Sequence, residues 1–228
     1  MNSLEQQKNF LFGSLEAIKN LEEKDSASVI VISDSHKNYS SFKQVLKKFG
    51  SAADALIFCG DGITDILAAF KDALTDEYFG AAIPPVVGVV EGNNDCDMYP
   101  MVNKEYFKNP DLPFYIQVKI PLKNTLTVCS HKIFFTHGHH YGIYSGTDSL
   151  LDAAKELDCD IALFGHTHLP YNQFEKPRTM ILNPGSISLP RGGHPCTFAV
   201  LNLKKNSDFV DFTFFQMNGS KFTPYIPS

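Results

Sequence analysis

The chain of 228 residues predicts an α/β fold, a pair of mixed β-sheets covered by helices. Three observations lead there. From Val29 onward, short apolar runs alternate with helix-patterned segments, as parallel βαβ units do. Between residues 113 and 136, and again after 179, apolar and polar residues alternate across short polar breaks, the texture of antiparallel strands. Five apolar runs also end at once on Asp, Asn or His, and in α/β sheets binding groups collect beyond the carboxyl ends of the strands.

Residues 3–24 read as an amphipathic helix, striped by Leu4, Leu11, Leu15, Ile18 and Leu21. Ser3 can cap it, with Gln6 completing a capping box. This divides the chain into an N-terminal helical extension, 1–25, and one domain, 26–228. The extension reads as a helix packed on the domain surface, with self-association as the other use. Val29–Ile32 is the first strand, Ala55–Cys59 the second and Val86–Val90 the third; Ser40–Phe49 and Ile63–Leu74 are the helices between them. Residues 92–112, with Pro100 and Pro110, read as a loop-rich stretch. Phe114–Ile120, Leu126–Cys129 and Ile133–Phe135 follow as antiparallel strands. Leu150–Leu157 is a helix before the strand Ile161–Phe164. Thr179–Leu182, Thr197–Leu203 and Phe209–Phe215 close the chain as antiparallel strands.

Composition narrows the function. A hydrophobic share of 43% supports a substantial core. A net charge of −5 disfavours a polyanion-binding role, so no stable nucleic-acid partner is expected. Five dispersed cysteines without a C-x-x-C pair suit reduced thiols. No apolar stretch approaches membrane-spanning length, and the chain reads as a cytoplasmic protein without a membrane partner.

The five strand-end fragments carry the chemistry: Asp34-Ser35-His36, Gly60-Asp61-Gly62, Gly92-Asn93-Asn94-Asp95, His137-Gly138-His139 and Gly165-His166-Thr167-His168. Singly they are weak, since Gly-Asp-Gly is an ordinary turn. Together they place carboxylates, an amide and imidazoles at one sheet edge, which points to a polynuclear metal site and a metal-dependent hydrolase. Such donors suit Mn²⁺, Fe²⁺, Ni²⁺ or Zn²⁺.

The ordered series resembles the calcineurin-like metallophosphoesterase superfamily, across roughly residues 28–200. Its compact spacing and Asn183-Pro184-Gly185-Ser186 resemble the small prokaryotic YfcE-type phosphodiesterase branch. The resemblance implies a four-layer α/β/β/α sandwich of two mixed sheets flanked by helices. It implies two divalent transition-metal ions, manganese first, with iron, nickel or zinc as the other candidates. Asp34, His36 and His168 then hold the first ion, Asn93, His137 and His166 the second, and Asp61 bridges both. A metal-bridging hydroxide is the implied nucleophile, with Asp61, Asn93 and His139 as the catalytic set. Ions roughly 3.5–4 Å apart can clamp a phosphate during in-line displacement. The formal charge left at such a site, about +1, attracts a phosphodiester even in an acidic chain.

Where many relatives have a histidine able to protonate the leaving group, this chain has Asn94. Asp95 fills the acidic position, where a hydrogen bond to a histidine is expected. His131 and His194 read as solvated or loop histidines, and His140 as peripheral. Lys37 and Asn38 either reach substrate or cap the following helix. Asn183 shapes a turn or supports a histidine. The substrate expected is a small phosphodiester, with a homo-oligomer possible. The alternatives are a phosphomonoesterase or nucleotide phosphatase of the same fold, and a non-catalytic scaffold like the small retromer subunit.

Overall fold

A computed structural model describes residues 4–175 and 179–227. Its first sheet has six strands: β1 (Ser26–Ile32), β2 (Ala55–Phe58), β3 (Val86–Val89), β11 (Cys196–Lys204), β12 (Asp211–Asn218) and β13 (Lys221–Tyr225). They run in the order β13-β12-β11-β1-β2-β3, with β1 to β3 parallel and the rest antiparallel. The second sheet orders β6 (Lys123–Val128), β7 (His131–Thr136), β8 (Ile161–Leu163), β10 (Thr179–Pro184) and β9 (Pro170–Glu175) as β6-β7-β8-β10-β9. The hairpin of β4 (Met98–Val102) and β5 (Tyr115–Lys119) stands apart from both.

The central strands sort their side chains by parity, because successive residues point to opposite faces. Val29 and Val31 of β1 and Ile57 of β2 meet Ile133 and Phe135 of β7 and Leu163 of β8 between the sheets. Ile30, Ile32, Leu56 and Phe58 face outward onto α2 (Tyr39–Phe49) and α3 (Ile63–Ala73), through Phe42, Leu46, Ile66 and Phe70. On the far side, Phe134, Ala162 and Ile181 pack under Leu150, Leu151 and Ala154 of α5 (Asp148–Glu156). Three stacked cores between four layers make the α/β/β/α sandwich that the resemblance implied. Strands covered on both faces read as unbroken apolar runs, which is why β1 to β3 were legible. No helix among the described residues is long and apolar enough to cross a membrane.

The N-terminal segment differs from expectation. Its helix, α1, covers only Leu15–Glu23, and Ser14 caps it by accepting from the Ala17 N–H at 3.0 Å. The expected cap, Ser3, lies outside the described residues. Phe10 (φ 63) and Gly13 (φ 141) take left-handed backbone that a helix does not allow. Between them Phe12 exchanges both backbone hydrogen bonds with Val87 at 2.8 Å, covering the β3 edge. Leu11 enters the core between the sheets and Phe12 the outer one, the alternation of a strand. The helical stripe in the sequence was coincidental over this stretch, and Leu15, counted in it, is 70% exposed.

Elsewhere, the stretch expected as loop holds β4, and α4 (Glu77–Ala81), β9 and β13 had no expectation. β10, expected to be antiparallel, pairs in parallel with β8 and is antiparallel only to β9.

Candidate metal centre

The five ligand-bearing fragments follow β1, β2 and β3 in one sheet and β7 and β8 in the other. Both sheets present those carboxyl ends at the same edge, and the turns there are forced into unusual backbone. Asp34 (φ 55), His36 (φ 46), Asp61 (φ 58), His166 (φ 67) and His168 (φ 61) are all left-handed without being glycine. Such conformations cost about 1–3 kcal/mol each and persist where the surrounding structure fixes them.

The side chains converge in two groups with donor atoms within 4.8 Å of one another: Asp34, His36 and His168, and Asp34, Asp61 and His137. Asp34 Oδ1 lies 3.1 Å from His168 Nε2, 3.7 Å from His36 Nε2 and 3.9 Å from His137 Nε2. Asp61 Oδ2 also lies between the groups, 3.7 Å from His36 Nε2 and 3.5 Å from His137 Nε2. Asn93 Oδ1 is 3.2 Å from His137 Nε2. The His166 ring centre is 5.1 Å from that of His137, and the His166 backbone N–H donates to Asp34 Oδ2 at 3.0 Å. His139 is further out, its ring 5.4 Å from His137 and 6.1 Å from His166. Five of the seven expected ligands thus form the two groups, with Asp34 common to both, while Asn93 Oδ1 and the His166 ring lie beside His137.

Two tests show that this cluster fits cations. His137 Nδ1 faces the Cys59 carbonyl at 2.6 Å and His168 Nδ1 the Leu189 carbonyl at 2.6 Å. A carbonyl only accepts, so both Nδ1 atoms carry hydrogen and each neutral ring turns its Nε2 lone pair into the centre. Asp34 Oδ2 is satisfied by Ser33 Oγ at 2.6 Å and by His166 N–H, while Asp34 Oδ1 is buried without a hydrogen-bond partner. Lone pairs of carboxylate, amide and imidazole converging on one space repel unless a cation lies among them. Burial opposes the charged form of Asp34, yet where the Nε2 atoms of His168 and His36 carry a proton in place of a metal, those imidazoles hold its carboxyl well below the usual range. Burial likewise opposes a charged His137, and Asp61 and Asp34 raise it nevertheless. His139 is pushed down to about 4, by burial first and then by the neighbouring histidines, and its Nδ1 is buried without a partner.

Supporting residues carried weaker signals. Asp95 does not bond a histidine as expected. Its carboxylate accepts backbone N–H groups of Asp61 (2.6 Å), Gly62 (3.1 Å), Ile63 (3.0 Å) and Gly92 (3.0 Å), tying the second and third fragments together. Asn94 donates to Asp61 twice, by its backbone N–H to Oδ1 at 2.8 Å and by Nδ2 to Oδ2 at 2.6 Å. Asn183 both turns and supports: its Oδ1 accepts from Gly185 N–H, and its Nδ2 donates to the Gly165 carbonyl and to Thr167. Asn38 caps α2, whereas Lys37 lines a polar cleft of about 340 Å³ with His36, Asp61, Asn94 and Tyr99. His131 is buried in β7 on Asp160 and the Lys204 carbonyl and is neither solvated nor in a loop, whereas His194 is a half-buried loop residue, as expected, that meets the Tyr225 hydroxyl. Ser33, and Ser186 and Ser188 on the Asp34 carbonyl, had no sequence signal beyond standing beside a fragment.

A family model, the calcineurin-like phosphoesterase superfamily domain, matches residues 28–206. The chain belongs to that superfamily. Among calcineurin-like phosphoesterases it is 30% identical over 185 residues to the probable metallophosphoesterase YsnB of Bacillus subtilis, covering 81% of this chain and 89% of that one. It is 26% identical over 178 residues to the phosphodiesterase YfcE of Escherichia coli, covering 75% and 84%. The structure of Vacuolar Protein Sorting 29 from Cryptosporidium parvum superposes with a TM-score of 0.62 at 20% identity, over 89% and 97% of the two chains. That last likeness is one of fold. The Asp and His cluster of this calcineurin-like domain is its metal-binding site.

The Asp95 cradle makes a prediction. Asp95→Ala strands four backbone donors at the root of Asp61, so it should destabilise the protein by about 3 kcal/mol. Urea unfolding of the metal-free protein checks this, and a change within about 0.5 kcal/mol would show that the loops hold without the carboxylate.

Proposed function

We propose that the protein is a dinuclear metallophosphodiesterase acting on small phosphodiesters. The observation that supports this most is the convergence of His36, His168, Asp61 and His137 on Asp34, with His137 and His168 each giving Nδ1 to a carbonyl. When bound, two divalent ions there supply Lewis acidity to the phosphoryl group and activate water for in-line attack. In this reading Asp34, His36 and His168 would hold one ion and Asn93, His137 and His166 the other, with Asp61, whose Oδ2 lies between His36 and His137, serving both. Oxygen and imidazole donors without a thiolate suit manganese, iron, nickel or zinc, and the family resemblance puts manganese first; Cys59 offers its carbonyl to His137, while burial raises its thiol pKa.

Within the chain, Ser33 and the His166 N–H aim Asp34, and Asn94 and Asp95 position Asp61. His139, neutral beside the second group, presents a hydrogen-bonding imidazole to the phosphate oxygens. The Asn at 94 offers no titrating proton to a leaving group, which favours diesters with good leaving groups over alkyl monoesters.

The test strips the protein with a chelator and adds Mn²⁺, Fe²⁺, Ni²⁺ or Zn²⁺ singly, assaying bis(p-nitrophenyl) phosphate and p-nitrophenyl phosphate. Turnover should return with metal and favour the diester. At a metal concentration about 100-fold above Kd, stability should rise by about 2.7 kcal/mol, seen as a higher Tm. Full activity in metal-free protein, or no metal uptake by elemental analysis, would sink the reading.

A further inference from the structure

A cleft of about 470 Å³ lies beside the metal centre, away from the polar cleft of Lys37. Its walls include Ile143, Tyr144, Leu169 and Tyr171, and Thr147 and Asp148 also line it. Its size is that of a small-molecule site. Tyr144 connects it to the centre. The tyrosine hydroxyl donates to the His166 carbonyl at 3.3 Å, and its ring lies 5.3 Å from the His166 imidazole. Yet Tyr144 is 65% exposed, so one aromatic face stays open. Arg191 closes the junction: its Nη1 donates to the Tyr144 hydroxyl at 3.0 Å and its backbone N–H to the His168 carbonyl at 3.2 Å. Among the described residues the Arg191 guanidinium has no carboxylate in ion-pair range, so its remaining donors suit a phosphate in fork geometry.

A phosphodiester carries two substituents, one that leaves and one that is retained. The ligands His36 and Asp61 line the polar cleft, while the cleft with aromatic walls borders the centre through Thr167 and through Tyr144 on the His166 carbonyl. Resting on the phosphodiesterase reading above, we propose that the Tyr144 cleft receives the retained arm and that this arm is a nucleoside. Its base lies against Tyr144 and Tyr171, because flat π-faces stack on aromatic rings without regard to sequence. Its N–H edge meets Asp148, which accepts only, and Thr147, which a plain hydrocarbon ring could not satisfy. Its 5′-phosphate sits between the metal centre and Arg191.

Two probes isolate the retained arm: thymidine 5′-(p-nitrophenyl phosphate) and methyl p-nitrophenyl phosphate. In each, water's oxygen bonds to phosphorus as the bond to p-nitrophenolate breaks, releasing p-nitrophenolate, a proton and the monoester. Only the retained group differs. The thymidine probe should show a kcat/KM at least tenfold higher, mainly through KM. The ratio between probes should fall to near one in Tyr144→Ala and persist in Tyr144→Phe, whatever the absolute rates. Independently of turnover, saturation-transfer NMR should mark the thymine methyl and H6 of thymidine 5′-monophosphate with the wild-type protein and not with Tyr144→Ala. Turnover of the methyl diester with a ratio below twofold would overturn the nucleoside subsite and leave the phosphodiesterase reading standing. Turnover of neither probe with any metal would overturn that reading instead, and the NMR result then decides the cleft alone; no transfer to thymine would refute it.

Discussion

Asp34→Asn is expected to leave the fold intact while lowering metal-dependent turnover by about 10³-fold or more, roughly 4 kcal/mol of transition-state stabilisation. The size follows from which atom the amide must present. Asp34 Oδ2 accepts from Ser33 Oγ at 2.6 Å and from the His166 N–H at 3.0 Å, so an Asn there keeps its carbonyl oxygen on those donors. Its NH₂ then takes the place of Oδ1, the buried atom 3.1 Å from His168 Nε2 and 3.7 Å from His36 Nε2. A donor now faces the imidazole lone pairs, bonds to them and closes the space to a cation. The metal-free variant should therefore have a Tm equal to or above that of metal-free wild type, while the metal-induced rise in Tm disappears. Asp61→Asn should behave differently. Both Asp61 oxygens accept from Asn94, so its amide meets a donor whichever way it turns, and both stability and metal uptake should fall. Near-normal turnover in an Asp34→Asn protein shown to be metal-poor would place any catalysis elsewhere.

How much of this was legible depended on where the physics was local. The runs Val29–Ile32 of β1, Ala55–Phe58 of β2 and Val86–Val89 of β3 announce themselves because both faces are covered, so burial leaves no polar residue within them. The ligand fragments stand out for the opposite reason: polar residues follow those runs at once, and few structural needs call for them there. What stayed hidden depends on tertiary partners. Phe12 behaves as strand only because the β3 edge offers Val87. Asp95 finds backbone donors at Asp61 to Ile63, more than thirty positions back in sequence, and no local pattern encodes that pairing. The direction of β10 is set by its neighbours β8 and β9, since its apolar run Thr179–Leu182 is equally compatible with either. Tyr144 and Arg191 lie 47 positions apart and meet only over the His166 turn.

Asn94→His should change which substrates react rather than whether the centre forms. In the native chain Asn94 is exposed, its side chain turned back onto Asp61 Oδ2 at 2.6 Å, and it has no proton to give up within the working pH range. Departure of the leaving group then depends on its own acidity, so rates for a series of aryl diesters should fall steeply as leaving-group pKa rises. An imidazole at 94, with an ordinary pKa near 6.5, can protonate the departing oxygen. General acid catalysis is worth about 10²–10⁴-fold, and most for the poorest leaving groups. The slope against leaving-group pKa should flatten, and hydrolysis of alkyl monoesters should rise by about tenfold or more. The new donor must also replace the amide's hydrogen bond to Asp61, while the backbone N–H of position 94 still holds Asp61 Oδ1. That remaining bond is why metal content should survive the exchange, and elemental analysis of both proteins makes the comparison fair. The rate gain should fade as pH rises above the pKa of the introduced imidazole, because the acid is then spent. An unchanged slope at equal metal content, with the imidazole shown crystallographically beside the leaving oxygen, would remove Asn94 as the source of the diester preference.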